Sequence, residues 1–361
     1  MSRSDTVGRA RATVFAPKIE ELLREQRGVK FFRVDADTVG VADPDLIEKL
    51  LGSRSAHEFE RPTFKPLYGR SIARAEAADV LQALSRDVRA ALQGPVPDSV
   101  DLSGDWPHVG HGYLRDLLFR PDPLRLRVLT DRRLEAMPVL ARVAVRTSAA
   151  LPGTPDPEAP MSRLAALTAT AASDPDDRHH ALGLYRRVAA PVCLGVSALV
   201  TNALWLGSPF DADVSNRHIV LESLRLLPPS WNILRVASPE FPALDPRIGP
   251  DDDVLLLPLL SHRDPELWVD PDDFRPQRWT DLDADNHAGY FPFGHASDRC
   301  RGRHLIMPLA EHLLDRIRFQ GLTVSPRQTT AKVPLAGLLG VTRVRMTRTG
   351  PPRGEFLASG R

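Results

Sequence analysis

The sequence predicts a mainly α-helical fold with small β-sheets near both ends, carried on a single domain. Three observations predict it. Helical patterns recur from residue 75 to residue 227. One segment, Val188 to Phe210, holds no charged residue, as expected of a helix buried on all sides. Beyond Pro228-Pro229 short apolar runs alternate with turn residues, a texture of small strands and loops. No internal repeat and no Gly/Ser-rich linker divides the 361 residues, which leads to one domain over 1–361 with loose ends at 1–12 and 350–361.

Each element has a local reason. Lys18 to Gln26 places Ile19, Leu22 and Leu23 on one helical face. Lys30 to Val41 reads as two strands about an Asp-containing turn. Asp43-Pro44 opens a short helix through Leu51, with Asp43 as cap and Pro44 in the first turn. Ala75 to Leu92 is amphipathic, and residues 95–105 form a Pro/Asp-rich connection. Helices are expected over His111–Leu118, Leu134–Ala150 and Ser162–Ala172, with a surface loop at 151–160. The acidic run Asp174 to Asp177 suits the start of the long helix that ends at Leu206. Val214 to Leu227 is the next helix, stopped by Pro228-Pro229. Val254 to Leu260 is an apolar run, His304 to Ile317 the last helix, and Val341 to Met346 a strand.

Composition excludes several functions. Lys+Arg total 47 against 46 Asp+Glu, so nothing favours a nucleic-acid or anionic-membrane partner. Two cysteines, Cys193 and Cys300, cannot build a disulfide scaffold or a four-cysteine zinc or iron–sulfur site. The N-terminus has no signal-peptide core, which places the chain in the cytoplasm. Val188–Phe210 is long enough to span a bilayer. Its Pro191, Ser197, Thr201 and Asn202 favour the central helix of a water-soluble domain instead.

Chemistry concentrates around Cys300, in FPFGHASDRCRG (291–302). It sits just before a Gly and a helix N-terminus, between Arg299 and Arg301. That electropositive setting suits a thiolate acting as nucleophile or metal ligand. The alternative is a small packing residue. Glu222 and Arg225, at i and i+3 on one helix, can form an ion pair, which by itself describes many surface pairs. FRPQRW (274–279) is a loop carrying a cation beside aromatic rings.

Taken in order, ESLRLLPP, HRDP (262–265), DPDDFRPQRW and FGHASDRCRG resemble the cytochrome P450 family. The resemblance implies that family's fold in a compact variant, and haem b (iron protoporphyrin IX) as cofactor. Cys300 is then the axial iron ligand, on a loop matched at Phe293, Gly294 and Gly302. Glu222, Arg225 and Arg278 match the family's buried ion network. Arg235, in a short strand after the Pro-Pro pair, matches an arginine that binds a haem propionate. The segment 188–206 becomes the helix crossing the distal haem face, with Cys193 a packing residue.

The sequence departs from the family in three places. Aligned on Asn202-Ala203-Leu204, the distal helix reads Gly195, Val196, Ser197, Ala198, Leu199. Ala198 and Leu199 occupy the places of the acid and alcohol that deliver protons to the distal site, and neither donates one. Ser197 and Thr201 are the nearest hydroxyls, displaced around the helix by about 100° per residue. In the cysteine loop a Gly is replaced by Ala296 and a basic residue by Asp298, leaving Arg299 or Arg301 to compensate. The helix that brings a Trp or His and an Arg to the propionates is not recognisable; Arg74 is the nearest substitute, then Arg86.

The resemblance therefore implies a haem-thiolate monooxygenase that tailors a small molecule, in natural-product or antibiotic biosynthesis. Its electron donor would be a separate ferredoxin or flavodoxin, docking near Arg299, Arg301 and Arg303. Loss of the relay pair favours, as a second reading, peroxide-dependent, coupling or redox-neutral haem chemistry. The weakened propionate contacts favour a third, a non-catalytic partner protein with little or no haem. Substrate contacts are expected around 53–72, 152–175 and 335–340.

Overall fold

The structure, a computed structural model, describes residues 11–53, 73–94, 100–119, 138–141, 162–170, 175–295, 299–334 and 339–349. Most of the helix expected over Leu134–Ala150 and most of the expected substrate loops lie outside these residues, as do Ala296 and Asp298. The elements, in chain order, are β1 (Ala12–Phe15), α1 (Pro17–Glu25), β2 (Phe31–Asp35), β3 (Thr38–Val41), α2 (Pro44–Gly52), α3 (Arg74–Gln93), β4 (Gly104–Trp106), α4 (His108–Phe119), α5 (Arg163–Thr170) and α6 (Pro175–Gly207). Then follow α7 (Asn216–Leu226), β5 (Ile233–Arg235), α8 (Phe241–Leu244), β6 (Asp253–Leu256), α9 (Pro258–Ser261), a 3-10 turn (Pro276–Thr280), α10 (Arg303–Phe319), β7 (Leu322–Val324), β8 (Thr330–Val333) and β9 (Val344–Arg348).

The centre is helical, as expected. α6 is the hub: Val196, Val200, Ala203 and Leu204 share one apolar core with Val80 and Leu84 of α3, Leu114 and Leu118 of α4, and Leu309 and Leu313 of α10. The close approach of α4 to α6 depends on Gly110. A Cβ there would run into the Trp106 ring and the Ser197 hydroxyl. The stretch Gly183–Gly207 is apolar and long enough to cross a membrane, yet 82% of its most apolar part is buried inside the protein. Its surroundings are the protein's own helices, and Pro191 is accommodated within the continuous helix.

The sheets tie strands near the chain ends to strands in its interior, β4, β5 and β6. β2, β3, β6 and β5 form one sheet in that order, with β3 parallel to β6. α2 covers it through Leu46, Ile47, Leu50 and Leu51, which pack with Val39, Val41, Val254 and Leu256. Asp43 caps α2 as the sequence predicts, accepting from the Asp45 amide at 3.3 Å. β1 runs parallel to β8, and β4 joins β9 and β7.

The N-terminal expectation is corrected at Arg11. Its Nη1 donates to the carbonyl of Trp205 at 2.9 Å, and Nη2 donates to that of Ser208. A cation thus closes the C-terminal end of α6, where the last carbonyls lack helical partners.

Candidate functional site

The site is built on α7. Ser215 starts that helix by accepting from the His218 amide at 3.1 Å. Glu222 and Arg225, three residues apart, then project from the same face. Both side chains are fully buried, and Arg225 Nη2 lies 2.8 Å from Glu222 Oε1.

The surroundings convert this pair into a network. Arg225 Nε donates to Glu222 Oε2 at 3.1 Å, and Arg278 Nε donates to Oε1 at 3.1 Å. The Arg275 amide adds a bond to Oε1 at 3.0 Å, and the Trp279 indole one to Oε2 at 2.9 Å. Arg225 Nη1 also donates to the carbonyls of His262 at 2.7 Å and Pro271 at 2.6 Å. A buried charge is tolerated only when paired and hydrogen-bonded in this way. The structure therefore brings Glu222, Arg225 and Arg278 together.

An aromatic box closes over the network. Arg225 stands 5.1 Å above the Trp268 ring, and Trp279 and Tyr290 lie 4.7 Å apart. Burial, with Glu222 nearby, pushes the Tyr290 phenol well above its usual range. Its hydroxyl keeps its proton and donates it to the Leu221 carbonyl at 2.8 Å.

From this box the chain enters the cysteine loop. The Phe291 carbonyl accepts from the Gly294 amide at 3.2 Å, and Gly294 takes φ +74°, a conformation that favours glycine. The Cys300 amide donates to the Phe293 carbonyl at 2.7 Å, which closes the loop. Gly302 precedes the first residue of α10, Arg303. Cys300 is exposed at the mouth of that helix.

The charges flanking Cys300 are organised by one carboxylate. Arg299 Nη2 and Arg303 Nη1 reach Asp285 Oδ1 at 2.6 and 2.8 Å. Hydrogen bonding from Arg303 first, then Arg299, holds the Asp285 carboxyl below its usual range. Arg301 is exposed. Arg235 is 3% exposed on β5, where its Nη2 donates to the Leu50 carbonyl at 3.1 Å. The Arg74 side chain lies outside the described residues, and Arg86 faces solvent on α3.

The α6 residues separate by face. Ser197 donates to the Pro107 carbonyl, toward α4. Thr201 donates to the Ser197 carbonyl at 2.7 Å. Both hydroxyl protons are thus engaged by backbone acceptors, and both residues are fully buried. Ala198 points elsewhere, 3.5 Å from the place a Cβ would take on Gly340. Leu199 is 1% exposed. At Gly195 a Cβ would meet nothing within 4 Å among the described residues.

Asn202 fixes the helix. Its Nδ2 donates to the carbonyls of Leu227 and Leu339, each at 3.1 Å, and its Oδ1 accepts from the Val341 amide at 2.8 Å.

A cytochrome P450 family model matches residues 217–331. That interval holds Glu222, Arg225, Arg235, Arg278 and Cys300 in the arrangement just described. Residues 217–331 belong to the cytochrome P450 family. Among curated P450 relatives, cyclooctatin synthase of Streptomyces melanosporofaciens is 37% identical over 101 residues, 26% of this chain and 22% of that protein. Cyclooctat-9-en-7-ol 5-monooxygenase of the same organism is 38% identical over 89 residues, 24% of this chain and 19% of that protein. The chain thus matches about a fifth of the length of each. A solved Mycobacterium marinum cytochrome P450 in its substrate-free form superposes with a TM-score of 0.55 at 16% identity, covering 92% of this chain and 95% of that one. This likeness extends the P450 fold over the parts of the chain that the sequence matches leave out.

Family and fold imply a haem cofactor. The donor set fits it. Among the described residues no group of three or more His, Cys, Asp or Glu side chains converges as a bare metal ion requires. A single cysteine sulfur is the donor needed by an iron whose other positions are filled by a macrocycle.

The sequence singles out neither Tyr290 nor Trp279, and it quotes His262 only within HRDP. Their signal is present as aromatic residues beside the FRPQRW and FGH segments. Their partners become visible only in the fold.

Proposed function

We propose that this chain is a haem-thiolate monooxygenase acting on a small molecule of specialised metabolism, as one domain working in the cytoplasm. The observation that carries the proposal is the Cys300 loop: one thiol held between the Phe293 carbonyl and the start of α10. The similarity to two Streptomyces proteins of cyclooctatin metabolism supports the natural-product setting. Haem b, when bound, supplies oxygen activation and substrate oxidation.

The chain's own residues do the rest. Cys300 would hold the iron, and Arg235 would meet a propionate. Arg299 would act at the same edge only on leaving Asp285. Gly195, Ala198 and Leu199 would form a wall on α6 that excludes water and donates no proton. Arg301, with Arg299 and Arg303 partly neutralised by Asp285, would present a modest basic face to a ferredoxin- or flavodoxin-type electron donor.

The decisive experiment is spectroscopic. Reduced protein, expressed with haem precursor, is exposed to carbon monoxide. The red-shifted Soret band of thiolate ligation is expected, and Cys300→Ser should abolish it. Loading of haem with the same spectrum in Cys300→Ser would refute the assignment. No haem loading in the native chain would favour the non-catalytic partner reading.

A second catalytic reading, peroxide-driven, coupling or redox-neutral chemistry, is favoured by one observation. Ser197 and Thr201, the hydroxyls beside the relay positions on α6, both donate to backbone carbonyls. Protons would then arrive through ordered water or a substrate hydroxyl.

A further inference from the structure

We infer that His262 is a positioning residue for the cysteine loop: its two ring nitrogens tie the loop's entry at Phe291 to the ion-network residue Arg225. The inference rests on the haem-thiolate reading for its consequence, but the tie itself is a property of the chain.

The geometry fixes the proton. His262 Nδ1 lies 3.2 Å from the Arg225 carbonyl, which only accepts. The Phe291 amide, which only donates, lies 2.8 Å from Nε2. One ring tautomer satisfies both partners: Nδ1 carries the hydrogen and Nε2 offers its lone pair. Partners rather than observed hydrogens make this assignment. An imidazolium would set a second N–H against the Phe291 amide.

The surroundings enforce the neutral form. His262 is fully buried, and burial together with the Arg225 and Arg263 guanidinium groups lowers its pKa to about 3. Tyr290 packs on the ring at 5.2 Å. The attachment to Arg225 is reciprocal, because Arg225 Nη1 donates to the His262 main-chain carbonyl at 2.7 Å. The His262 amide is itself held by the Pro258 carbonyl at 2.8 Å.

The tie lies at a sensitive place. Phe291 is 2% exposed, and its carbonyl accepts from Gly294 at 3.2 Å. Phe293, one residue before Gly294, accepts from the Cys300 amide. A shift at Phe291 therefore passes along the loop backbone to the residue that presents Cys300. A merely space-filling ring would need neither nitrogen.

Two variants separate these roles. His262→Phe keeps the ring and removes donor and acceptor. His262→Gln gives up the ring but keeps an N–H donor and an oxygen acceptor on one planar group. The first readout is amide exchange at Phe291 in the cofactor-free chain, which does not depend on haem. Exchange about tenfold faster in His262→Phe, with protection retained in His262→Gln, is expected for one lost buried hydrogen bond. The second readout is the carbon monoxide spectrum of haem-loaded protein. His262→Phe should move population from the thiolate band to the band of a protonated thiol, and His262→Gln should restore the thiolate band. Unchanged Phe291 protection in His262→Phe would overturn the inference, as would loss of protection in His262→Gln. If His262→Phe fails to fold, His262→Gln alone decides. If the native chain binds no haem, the function proposal falls while the exchange experiment still judges the tie.

Discussion

Glu222→Gln tests the buried network most directly. The substitution keeps the shape of the side chain and removes its charge. In the native chain Oε1 accepts from Arg225 Nη2, the Arg275 amide and Arg278 Nε, while Oε2 accepts from Arg225 Nε and the Trp279 indole. All five partners are donors. A glutamine presents one oxygen and one NH₂, so whichever way it turns, at least two donors face another donor. Arg225, whose side chain is fully buried, also loses its counter-ion. Breaking a buried pair from one side costs about 3–5 kcal/mol, a large part of an ordinary stability of about 5–15 kcal/mol. With a urea slope of about 3 kcal/mol/M the midpoint should fall by about 1–1.7 M. Intrinsic fluorescence is a suitable probe, because Trp268 and Trp279 lie beside the network with ring centroids 5.7 Å apart. Asp285→Asn is the internal contrast. It also breaks contacts to two arginines, but that carboxylate is 53% exposed and the cost should stay below about 1 kcal/mol. Equal, small shifts in both variants would refute the reasoning that burial sets the magnitude.

Other expectations follow from the same geometry. Asn202→Leu strands the carbonyls of Leu227 and Leu339 and the amide of Val341, so thermal unfolding should reveal a loss of about 3 kcal/mol; an unchanged transition would show that water replaces the side chain. His262 and His312, chiefly through burial, titrate at about 3 and about 4 instead of 6.5. Both must stay neutral to fold, among Arg225, Arg263, His287 and Tyr290 for the first and Tyr113 and Arg316 for the second. Their contribution is present above pH 6.5 and is lost as pH falls toward 4 and 3; a denaturant midpoint equal at pH 7 and pH 4.5 would contradict it. Ala198→Asp with Leu199→Thr should raise reductase-driven turnover relative to peroxide-driven turnover, and an unchanged ratio would show that proton supply is not limiting.

The legibility of the site follows the range of its interactions. Glu222 and Arg225 are readable because the helix period alone places them together, and Arg278 because its motif follows in order. The further donors to Glu222 are not readable, since Trp279 and the Arg275 amide arrive from a loop more than fifty residues away. The His262 tie is equally hidden, because either nitrogen is meaningful only once Arg225 and Phe291 are seen on opposite sides of the ring. The fold divides in the same way. The longer helices announce themselves by local period, whereas α8 and α9, four residues each, do not. β1 and β4 do not: each has four residues or fewer, and each finds its partner beyond residue 329, Ala12 at Thr330 and Trp106 at Val344. Arg11 belongs to this group too, a polar residue whose acceptors at the end of α6 lie nearly two hundred positions on.

The Cys300 loop and α6, the two sides of the proposed site, also differ in what holds them. On the Cys300 side, position is set by polar contacts that satisfy one another: Glu222 with its five donors, Tyr290 with Leu221, Cys300 with Phe293. A change there is felt at once in folding, because buried partners are left unmatched. On the α6 side, Ala198 and Leu199 are apolar, buried and free of such obligations, while Ser197 and Thr201 spend their protons on the backbone. Chemistry at Ala198 and Leu199 can therefore change with little consequence for the Cys300 loop. The reverse exchange is not symmetrical. An aspartate placed at Ala198, only 7% exposed, must be desolvated and would itself lower stability. On the proposed reading, its effect on proton delivery would be visible in the ratio of the two turnover modes, where folded fraction cancels, and not in either rate alone.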